Sequence, residues 1–501
     1  MRVLLINPNY DPNTLNYLKM NGFPIGLLSI ATFLNKHGHN ASIVDRAFNR
    51  APLDELLAEY APDVVGISMI SNMVIPDMIE VGDFFRRHHV PVYIGGTYAS
   101  IIPEIILTEG KADLVIISEG EKIWLNLLEA MDAKTDPHKV NGIVYMGENG
   151  NIVYTPPEPF MDLSELGPVD FSLLPNVKDY FQPCYCYDNM AYLYLSKGCT
   201  GNCSFCFNPY FHKCKRRVRP TADFLDEVSF LIEHYGLETV YFADELWGVT
   251  KTERQSLFQQ MRERNIHFTW GCQTRIGVLK KEDIQEMYDN GCRWIFFGIE
   301  APPGHLAQIA NKHLPYDLVI PTLEACQEVG LISNVSFIFN YPGETESDLK
   351  DTVQYMQSLP STYLSIAYFA PFEKSELYNQ VVNNGIYDPP KTLEEIRNGA
   401  LIEKIHSTFS SVSDRDYHVI RSCFLLQDLF SRDPYSKKEK SGSFITKSVK
   451  TMVLNIRTLQ FKQWLRGTFY SAKYFISILL HALCFPGIRR KYGFHFNIRR
   501  N

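Results

Sequence analysis

Short apolar runs alternate with longer amphipathic segments through most of this chain, and no other feature constrains its fold as strongly. Helical patterns at Ile25–Asn35, Leu53–Glu59 and Ile75–Arg87 separate the apolar runs of the first part of the chain. The apolar runs themselves are Val3–Ile6, Ala41–Val44, Val64–Ser68, Val92–Ile94 and Leu114–Ile117. This alternation predicts an α/β domain over residues 1–135, built on a doubly wound, Rossmann-like parallel sheet.

Small and polar residues follow the predicted strands of this domain. In doubly wound sheets, ligands bind beyond the carboxyl ends of the strands, and glycines there let a bulky ligand approach the backbone. Each glycine could instead serve only as a turn residue. The candidate binding residues are Asn7, Ser68, Gly95, Gly96, Thr97, Glu119 and Gly120.

Strand and helix patterns resume after a connector at residues 136–185, which contains a predicted hairpin at Asn141–Tyr154. Together with the apolar run Met190–Leu195, the later strand candidates make about six βα units over residues 186–400, which predicts a partial (β/α)6 barrel rather than a closed eight-stranded one. The later candidates are Thr239–Ala243, His267–Cys272, Trp294–Ile299, Asn334–Asn340 and Leu364–Phe369.

Three cysteines, Cys199, Cys203 and Cys206, follow the first predicted barrel strand. Their spacing suits three corners of an iron–sulfur cluster, and three thiolates leave one iron open to bind a substrate or cofactor. A structural zinc site is the alternative, with Cys214 as the fourth thiolate and His212 as a further candidate ligand. Because catalytic loops of α/β barrels lie at the carboxyl ends of strands, the cluster interpretation suits this position better.

The Cys-x-x-x-Cys-x-x-Cys pattern resembles the signature of the radical S-adenosylmethionine (SAM) enzymes, including Phe205 before the third cysteine and Gly198 before the first. The resemblance implies a [4Fe-4S] cluster held by Cys199, Cys203 and Cys206. In that family the open iron binds the amino and carboxylate groups of SAM, and an electron from the cluster releases a 5′-deoxyadenosyl radical.

Polar residues at the ends of the barrel strands acquire roles from this resemblance. The family places an acidic residue or a carbonyl after the second strand to hold the SAM ammonium, where this chain has Asp244 and Glu245. Gln273 and Arg275 end the third strand, and the planar guanidinium of arginine suits the SAM carboxylate. Glu300 stands in Gly-Ile-Glu-Ala, which resembles the family's Gly-Ile-Glu-Ser, in which the glutamate reaches the ribose or the amino end of SAM.

Two further positions resemble the same family. Asn340-Tyr-Pro-Gly-Glu344-Thr is similar to a Gly-x-Pro-Gly-Glu-Thr turn, and the asparagine in place of the first glycine could narrow an adenine pocket. Lys312 matches a recurrent lysine, although we expect a surface position for it.

The first domain resembles the cobalamin-binding domain that precedes many radical SAM domains. The resemblance rests on Phe23-Pro-Ile-Gly, Val64-Val-Gly-Ile-Ser, Gly95-Gly-Thr-Tyr-Ala-Ser and Ser118-Glu-Gly-Glu. It implies that the glycine loops hold a corrinoid. The Asp-x-His-x-x-Gly motif, by which other cobalamin proteins supply a histidine to cobalt, is absent, since Asp136-Pro-His138 lacks the glycine.

Charge is segregated toward the C-terminus. Residues Ser436 to Asn501 carry fourteen Lys/Arg and one acid, near +13, whereas the preceding chain is near −20. In the predicted helical, basic region 401–501, the aromatic stretch Phe469–Phe485 predicts either a helix lying on an anionic membrane or, equally, a helix packed on the barrel. Nucleic acid is disfavoured because no RNA-binding motif accompanies the charge.

These patterns lead to one functional hypothesis with two rivals. The hypothesis is a cobalamin-dependent radical SAM methyltransferase acting on an unactivated carbon of a small-molecule or lipid-like substrate, with a reductant such as flavodoxin or ferredoxin. The rivals are an enzyme that uses the same cofactors for cyclisation, rearrangement or oxidation, and a non-enzymatic corrinoid-binding or electron-transfer module. The eleven cysteines form no secreted framework and no signal peptide opens the sequence, so a cytoplasmic location is expected, either free or peripheral at the inner membrane surface.

Overall fold

The structure is a computed structural model, and it describes residues 1–11, 22–184, 187–399, 409–430, 480–481 and 483–495. Two seven-stranded sheets form its framework. The predicted interfacial helix at 469–485 lies largely outside the described residues.

The first sheet has the strand order β2-β1-β3-β4-β5-β6-β7. Strands β1 to β5 are parallel, while β6 and β7 form an antiparallel hairpin on the edge of β5. The hairpin expected in the connector therefore extends the first sheet. The strands are β1 (Arg2–Asn7), β2 (Asn40–Asp45), β3 (Val64–Ser68), β4 (Val92–Gly95), β5 (Leu114–Ile116), β6 (Ile143–Met146) and β7 (Ile152–Tyr154).

Helices cover both faces of this sheet, because the side chains of its strands are apolar on both faces. Along β1, Val3 and Leu5 join one buried core, while Leu4 and Ile6 join the other. The helices are α1 (Ile25–Lys36), α2 (Leu53–Tyr60), α3 (Ile75–Arg87), α4 (Pro103–Thr108) and α5 (Glu121–Asp132). The order β2-β1-β3 places a topological switch between β1 and β3, where ligands of such sheets bind.

The second sheet has six parallel strands in sequential order and one antiparallel edge strand, β8. This is the curved wall of a partial barrel, so the predicted α/β fold class is confirmed. Its strands are β8 (Gln182–Cys184), β9 (Tyr187–Leu193), β12 (Thr239–Phe242), β13 (Thr269–Thr274), β14 (Cys292–Glu300), β15 (Ile332–Phe339) and β16 (Tyr363–Tyr368). A separate two-stranded ribbon is formed by β10 (Ser196–Lys197) and β11 (Arg217–Val218).

The remaining helices follow the barrel strands. Several begin with a side-chain cap; for example, Thr250 and Glu253 form a capping box at the start of α8. These helices are α6 (Asn208–Phe211), α7 (Thr221–Tyr235), α8 (Lys251–Glu263), α9 (Lys281–Asp289), α10 (His305–Ala310), α11 (Val319–Val329), α12 (Glu346–Ser358), α13 (Glu376–Asn383), α14 (Leu393–Gly399), α15 (Asp414–Phe430) and α16 (Pro486–Lys491).

Helix α14 returns from the barrel to the first domain. Leu393 and Ile396 are fully buried in the core that also contains the inner faces of α2, α3 and α4. Arg397 forms an ion pair of 2.7 Å with Asp11. The two sheets are therefore joined by packing as well as by the connector.

The described C-terminal residues pack against the barrel. The hydroxyl of Tyr492 donates to Asp416 at 2.7 Å, and Lys491 pairs with Asp416 at 3.0 Å. Phe494 packs edge-on against Phe424 of α15. Among the described residues, no helix combines the length and apolar character needed to cross a membrane.

Candidate active site

A cavity of about 410 Å³ lies between the carboxyl end of the first sheet and the start of the barrel. The sequence-predicted residues of the first domain meet there: Asn7, Ser68, Gly95, Gly96, Thr97, Glu119 and Gly120. Glu245 lines the barrel side, together with Tyr192, Tyr194, Lys197 and His212. One cavity thus contacts the ligand-binding edges of both domains.

The loop after β4 curls tightly around the end of β3. The carbonyl of Met69 accepts hydrogen bonds from the amides of Tyr98 and Ala99, both at 3.1 Å. Gly96 has φ +111, and a Cβ there would lie 2.8 Å from the Met69 carbonyl oxygen. Only glycine fits this position, which brings bare backbone to the cavity wall.

Two polar atoms on the cavity loop have no hydrogen-bond partner in the described part of the chain. They are Ser118 Oγ and Glu119 Oε2, and both are buried. The apolar lining of the same cavity includes Leu5, Ile30, Tyr93, Ile116 and Trp124. A large ligand with amide groups and an apolar ring would satisfy both features, so the residues present fit a corrinoid.

Asn7 has a structural contact besides its place in the cavity wall. Its side-chain amide donates to Asp45 at 3.0 Å, and the Tyr180 hydroxyl donates to the same carboxylate at 3.0 Å. Burial raises the pKa of Asp45, against these hydrogen bonds. His138 lies elsewhere, with an exposed ring packed on Tyr145, and does not line the cavity.

The antiparallel ribbon β10–β11 closes the base of the loop that carries the three cysteines. Gly198 leads out of the ribbon with φ +88, and a Cβ there would lie 2.1 Å from the Lys215 carbonyl oxygen. Its amide donates to Glu245 Oε2 at 2.8 Å. The glycine before Cys199 is therefore required by the close approach of the two sides of this loop.

The three thiols lie near one another and near two cations. A Cβ added to Gly201 would lie 3.4 Å from Cys199 Sγ, 3.7 Å from Cys203 Sγ and 3.6 Å from a guanidinium nitrogen of Arg275. Burial raises the pKa of Cys203, while Lys312 and Arg275 oppose that rise. Burial also raises the pKa of Cys206 to about 11. A three-thiolate donor set with nearby cations fits a cluster of net negative charge.

The two extra ligands of the zinc alternative have protein contacts of their own. Cys214 Sγ lies 3.6 Å from the Gly201 carbonyl, and the His212 ring is directed at Glu245, 3.3 Å away, and at Glu119. Within the described ranges, no three His, Cys, Asp or Glu side chains are grouped to hold a metal ion. That absence concerns a single ion. The thiolates around a cubane cluster lie farther apart than those around one ion, so it does not apply to the three cysteines as cluster ligands.

Asp244 and Glu245 support the start of the cysteine loop. Asp244 is fully buried, accepts the Leu195 amide at 2.8 Å and accepts the Ser196 hydroxyl. Burial raises its pKa to about 7. Glu245 accepts the Gly198 amide and lies 3.3 Å from the His212 ring, so both carboxylates have protein partners.

Gln273, Arg275 and Glu300 lie at the ends of β13 and β14. The Gln273 amide donates to the Asp244 carbonyl at 2.8 Å, and Arg275 donates to the His313 carbonyl at 2.9 Å. Glu300 pairs with Lys312 at 3.0 Å and accepts the Ser336 hydroxyl at 3.0 Å. The expectation of a surface lysine was wrong, since the Lys312 side chain is only 14% exposed.

In the turn after β15, Asn340, Tyr341 and Glu344 are fully buried. Asn340 has φ +65, a conformation that asparagine tolerates better than most residues after glycine. Glu344 Oε2 accepts the Tyr341 amide at 2.9 Å, and burial raises the pKa of Glu344 to about 8. Asparagine thus takes a left-handed backbone position that glycine also adopts readily; the narrowing of an adenine pocket stays a prediction.

Ion pairs join the first domain to the ribbon. Lys197 Nζ lies 2.8 Å from Glu121 Oε1, which also accepts the Ser29 hydroxyl at 2.5 Å. Although burial opposes both charges, each lowers the cost of the other: the pKa of Glu121 is lowered and that of Lys197 is raised. Arg217 of β11 pairs with Glu119.

The site roles of Lys197, Arg217 and Glu121 were not predicted from the sequence. Lys197 could have been suspected, since it comes two residues before Cys199. No local sequence pattern pointed to a site role for Arg217, because its partner Glu119 is 98 residues away in the chain.

Comparison with known families agrees with this geometry. The family model described as the B12 binding domain matches residues 14–128, and the radical SAM superfamily model matches residues 193–356. The two matches cover the two domains whose edges form the cavity.

Two curated relatives span most of the chain. The cytidylyl-2-hydroxyethylphosphonate methyltransferase of Streptomyces wedmorensis is 25% identical over 448 residues, covering 78% of this chain and 84% of that protein. The anaerobic magnesium-protoporphyrin IX monomethyl ester cyclase of Rubrivivax gelatinosus is 22% identical over 475 residues, covering 90% and 82%. The chain therefore aligns over most of the length of both a methyltransferase and a cyclase.

A solved structure shares the fold. The radical SAM methyltransferase TsrM from Kitasatospora setae, with tryptophan and a SAM analogue bound, superposes with a TM-score of 0.64 at 20% identity. The match covers 78% of each chain.

Proposed function

Because this chain belongs to the radical SAM enzymes that carry a cobalamin-binding domain, we propose that it methylates an unactivated carbon of a small-molecule substrate. Its cofactors are a [4Fe-4S] cluster, SAM and cobalamin. Methyltransferases are prominent among its relatives, including the phosphonate methyltransferase and a hopanoid C-3 methylase.

One observation carries the proposal: the corrinoid cavity and the cysteine loop share a wall. Lys197 and Glu245 both line the cavity. Lys197 directly precedes Gly198 in the chain, and Glu245 accepts a hydrogen bond from the amide of Gly198, the residue before Cys199. A methyl donor and a site of radical chemistry must lie close together to act on one substrate carbon. This arrangement provides that proximity within one chain.

The proposed residue roles follow from position. Cys199, Cys203 and Cys206 hold the cluster, and the corrinoid lies on Ser68, Gly95, Gly96, Thr97, Glu119, Gly120 and Asn7. Gln273, Arg275 and Glu300 face the SAM site. The contacts of Asp244 and Glu245 with the amides of Leu195 and Gly198 favour a role in holding the start of the cysteine loop in place. SAM would then contact the backbone near these two residues rather than their carboxylates.

When bound, the cluster and SAM supply a hydrogen-abstracting radical, and the corrinoid supplies the methyl group. The chain's own residues provide the geometry. Arg275 places a cation beside the cysteine loop, where it can pair with the SAM carboxylate. Glu300, paired with Lys312 and bonded to Ser336, is held in one orientation at the end of its strand.

The test is anaerobic reconstitution of the full chain with iron, sulfide and cobalamin, followed by an assay with methyl-deuterated SAM and a low-potential reductant, dithionite or reduced flavodoxin, that supplies the electron to the cluster. Extracts of cells lacking the protein supply the candidate substrates, and mass spectrometry follows the products. We expect a product that gains one deuterated methyl group together with release of 5′-deoxyadenosine. A protein that binds cobalamin yet never cleaves SAM would instead be the non-enzymatic module.

Cyclisation is the second candidate, favoured by the similarity to the Rubrivivax cyclase over 90% of this chain. It predicts a product that loses hydrogen and gains no deuterated methyl group. The same experiment therefore separates the two reactions.

A reductant protein and a membrane surface complete the proposed partners. Leu480 and Leu483 are each 54% exposed, close in sequence to Arg489 and Arg490. We propose that this end of the chain contacts anionic lipid at the cytosolic face of a membrane and that the substrate is lipid-like. Co-sedimentation should be stronger with phosphatidylglycerol vesicles than with phosphatidylcholine vesicles, and a variant of the exposed arginine, Arg490→Gln, should reduce the difference. Equal sedimentation with both would exclude an electrostatic contact.

A further inference from the structure

The loop of Ser118, Glu119, Gly120 and Glu121, here named the hinge loop, has polar contacts on two sides. On the cavity side, Ser118 Oγ and Glu119 Oε2 are buried and lack a hydrogen-bond partner among the described residues. On the barrel side, Glu119 pairs with Arg217 and Glu121 pairs with Lys197.

We propose that the hinge loop couples corrinoid binding to the position of the cysteine loop, and that Arg217 and Lys197 are the positioning residues that transmit this coupling. The inference rests on the proposed function, because it takes the cavity to hold a corrinoid and the cysteine loop to hold the cluster that binds SAM.

Arg217 is held on three sides. Its guanidinium pairs with Glu119, donates to the Met161 carbonyl at 2.9 Å and lies 4.5 Å from the centre of the Phe160 ring. Its side chain is only 19% exposed. Because the contacts are directional and partly buried, a displacement of Glu119 has to move Arg217, or break its pairing.

Arg217 belongs to the ribbon that closes the cysteine loop. Its register partner is Lys197, two residues before Cys199. Because β11 pairs with β10, a shift of β11 shifts β10, the strand that leads into the cysteine loop.

Lys197 provides a second, independent connection. Its partner Glu121 is the first residue of α5 and has a side chain that is 4% exposed. Removing one member of such a pair leaves a buried charge without a partner, which is strongly unfavourable. The ribbon is thus tied to the hinge loop at both strands.

His212 and Glu245 connect the hinge loop to the residue next to the first cysteine. The His212 ring lies 3.9 Å from Glu119 and 3.3 Å from Glu245, and Glu245 accepts the amide of Gly198. A ligand that bonds to Ser118 and Glu119 would restrict the same loop that these contacts use. The affinities for corrinoid and SAM should then be linked, and linkage is reciprocal.

The experiment measures two binding constants with the full-length, cluster-reconstituted protein, so it needs no substrate and no turnover. The dissociation constant of SAM is determined with and without saturating hydroxocobalamin, and that of hydroxocobalamin with and without SAM. In the wild type we expect each ligand to tighten the other by the same factor, about 5-fold or more. In Arg217→Met and in Lys197→Met, each of which keeps the other connection, we expect the factor to fall, and in the double variant we expect it to come close to one.

Matched variants separate coupling from general damage. Arg264→Met removes a surface pair with Asp226 and should keep the wild-type factor. Arg217→Lys keeps the charge but loses the planar fork and should give an intermediate factor. Glu121→Gln serves if Lys197→Met fails to fold, because the Ser29 hydrogen bond can remain.

Two outcomes would overturn the proposal: a wild-type factor of one, or an unchanged factor in Arg217→Met. A protein that binds neither SAM nor hydroxocobalamin would overturn the proposed function itself. Binding of both ligands without linkage would remove only the coupling.

Discussion

At the scale of single residues, buried carboxyls near the cysteine loop determine how the site responds to pH. Asp244 is the clearest case, because burial raises its pKa from the ordinary 3.8 to about 7. The folded state therefore binds a proton more readily than the unfolded state. The resulting stability is present below about pH 4 and is lost as pH rises through about 7.

Asp244→Asn tests this contribution. Asparagine has the shape of the protonated acid, and its amide can still meet Leu195 and Ser196. We expect the variant to gain stability relative to the wild type by about 4 kcal/mol between pH 4 and pH 8, measured as the difference in the free energy of unfolding at each pH. A difference that does not change with pH would show that Asp244 is ionised throughout.

Cys203→Ala tests the cluster assignment. Loss of one of three thiolates should remove most of the bound iron and abolish SAM cleavage, measured by iron analysis and 5′-deoxyadenosine formation. Cys484→Ser, which changes an exposed cysteine, should behave as wild type. If Cys214→Ala lost iron to the same extent as Cys203→Ala, a four-thiolate site would have to replace the three-thiolate one.

At the scale of elements, the ribbon β10–β11 decides whether the cysteine loop forms. Gly198→Ala places a Cβ 2.1 Å from the Lys215 carbonyl oxygen in a left-handed backbone position. We expect a destabilisation of about 1–3 kcal/mol or more and reduced iron content, measured by denaturation and iron analysis. Gly487→Ala, with nothing within 4 Å of the added Cβ, is the matched control; equal effects would contradict the structural role of Gly198.

At the scale of the whole molecule, helix α14 makes the first domain depend on residues far along the chain. Ile396→Ala empties a fully buried position in the first domain's core and should cost about 2–5 kcal/mol. We expect cobalamin affinity to fall as well, measured by absorbance titration. Ile386→Ala, at a position 38% exposed, should change neither quantity; a similar loss there would point to a general effect of truncation.

Local sequence patterns were sufficient to predict the architecture and the candidate binding residues at the strand ends. The apolar periodicity predicted both parallel sheets, and the loops after β1, β3, β4 and β5 meet in one cavity, because the carboxyl ends of parallel strands share an edge. The cysteine spacing lies within eight residues, so it too could be read locally.

The sequence by itself determined the two sheets, the cysteine loop and the families to which they are similar. Only the tertiary structure decided that Lys197 and Arg217 join the domains, that Lys312 is buried against Glu300, and that Asp244 and Glu245 bond to the backbone of the cysteine loop. The physical reason is that periodicity and spacing report interactions between near neighbours in the chain. An ion pair between residues 98 apart depends on how two finished domains pack, and no local pattern encodes that.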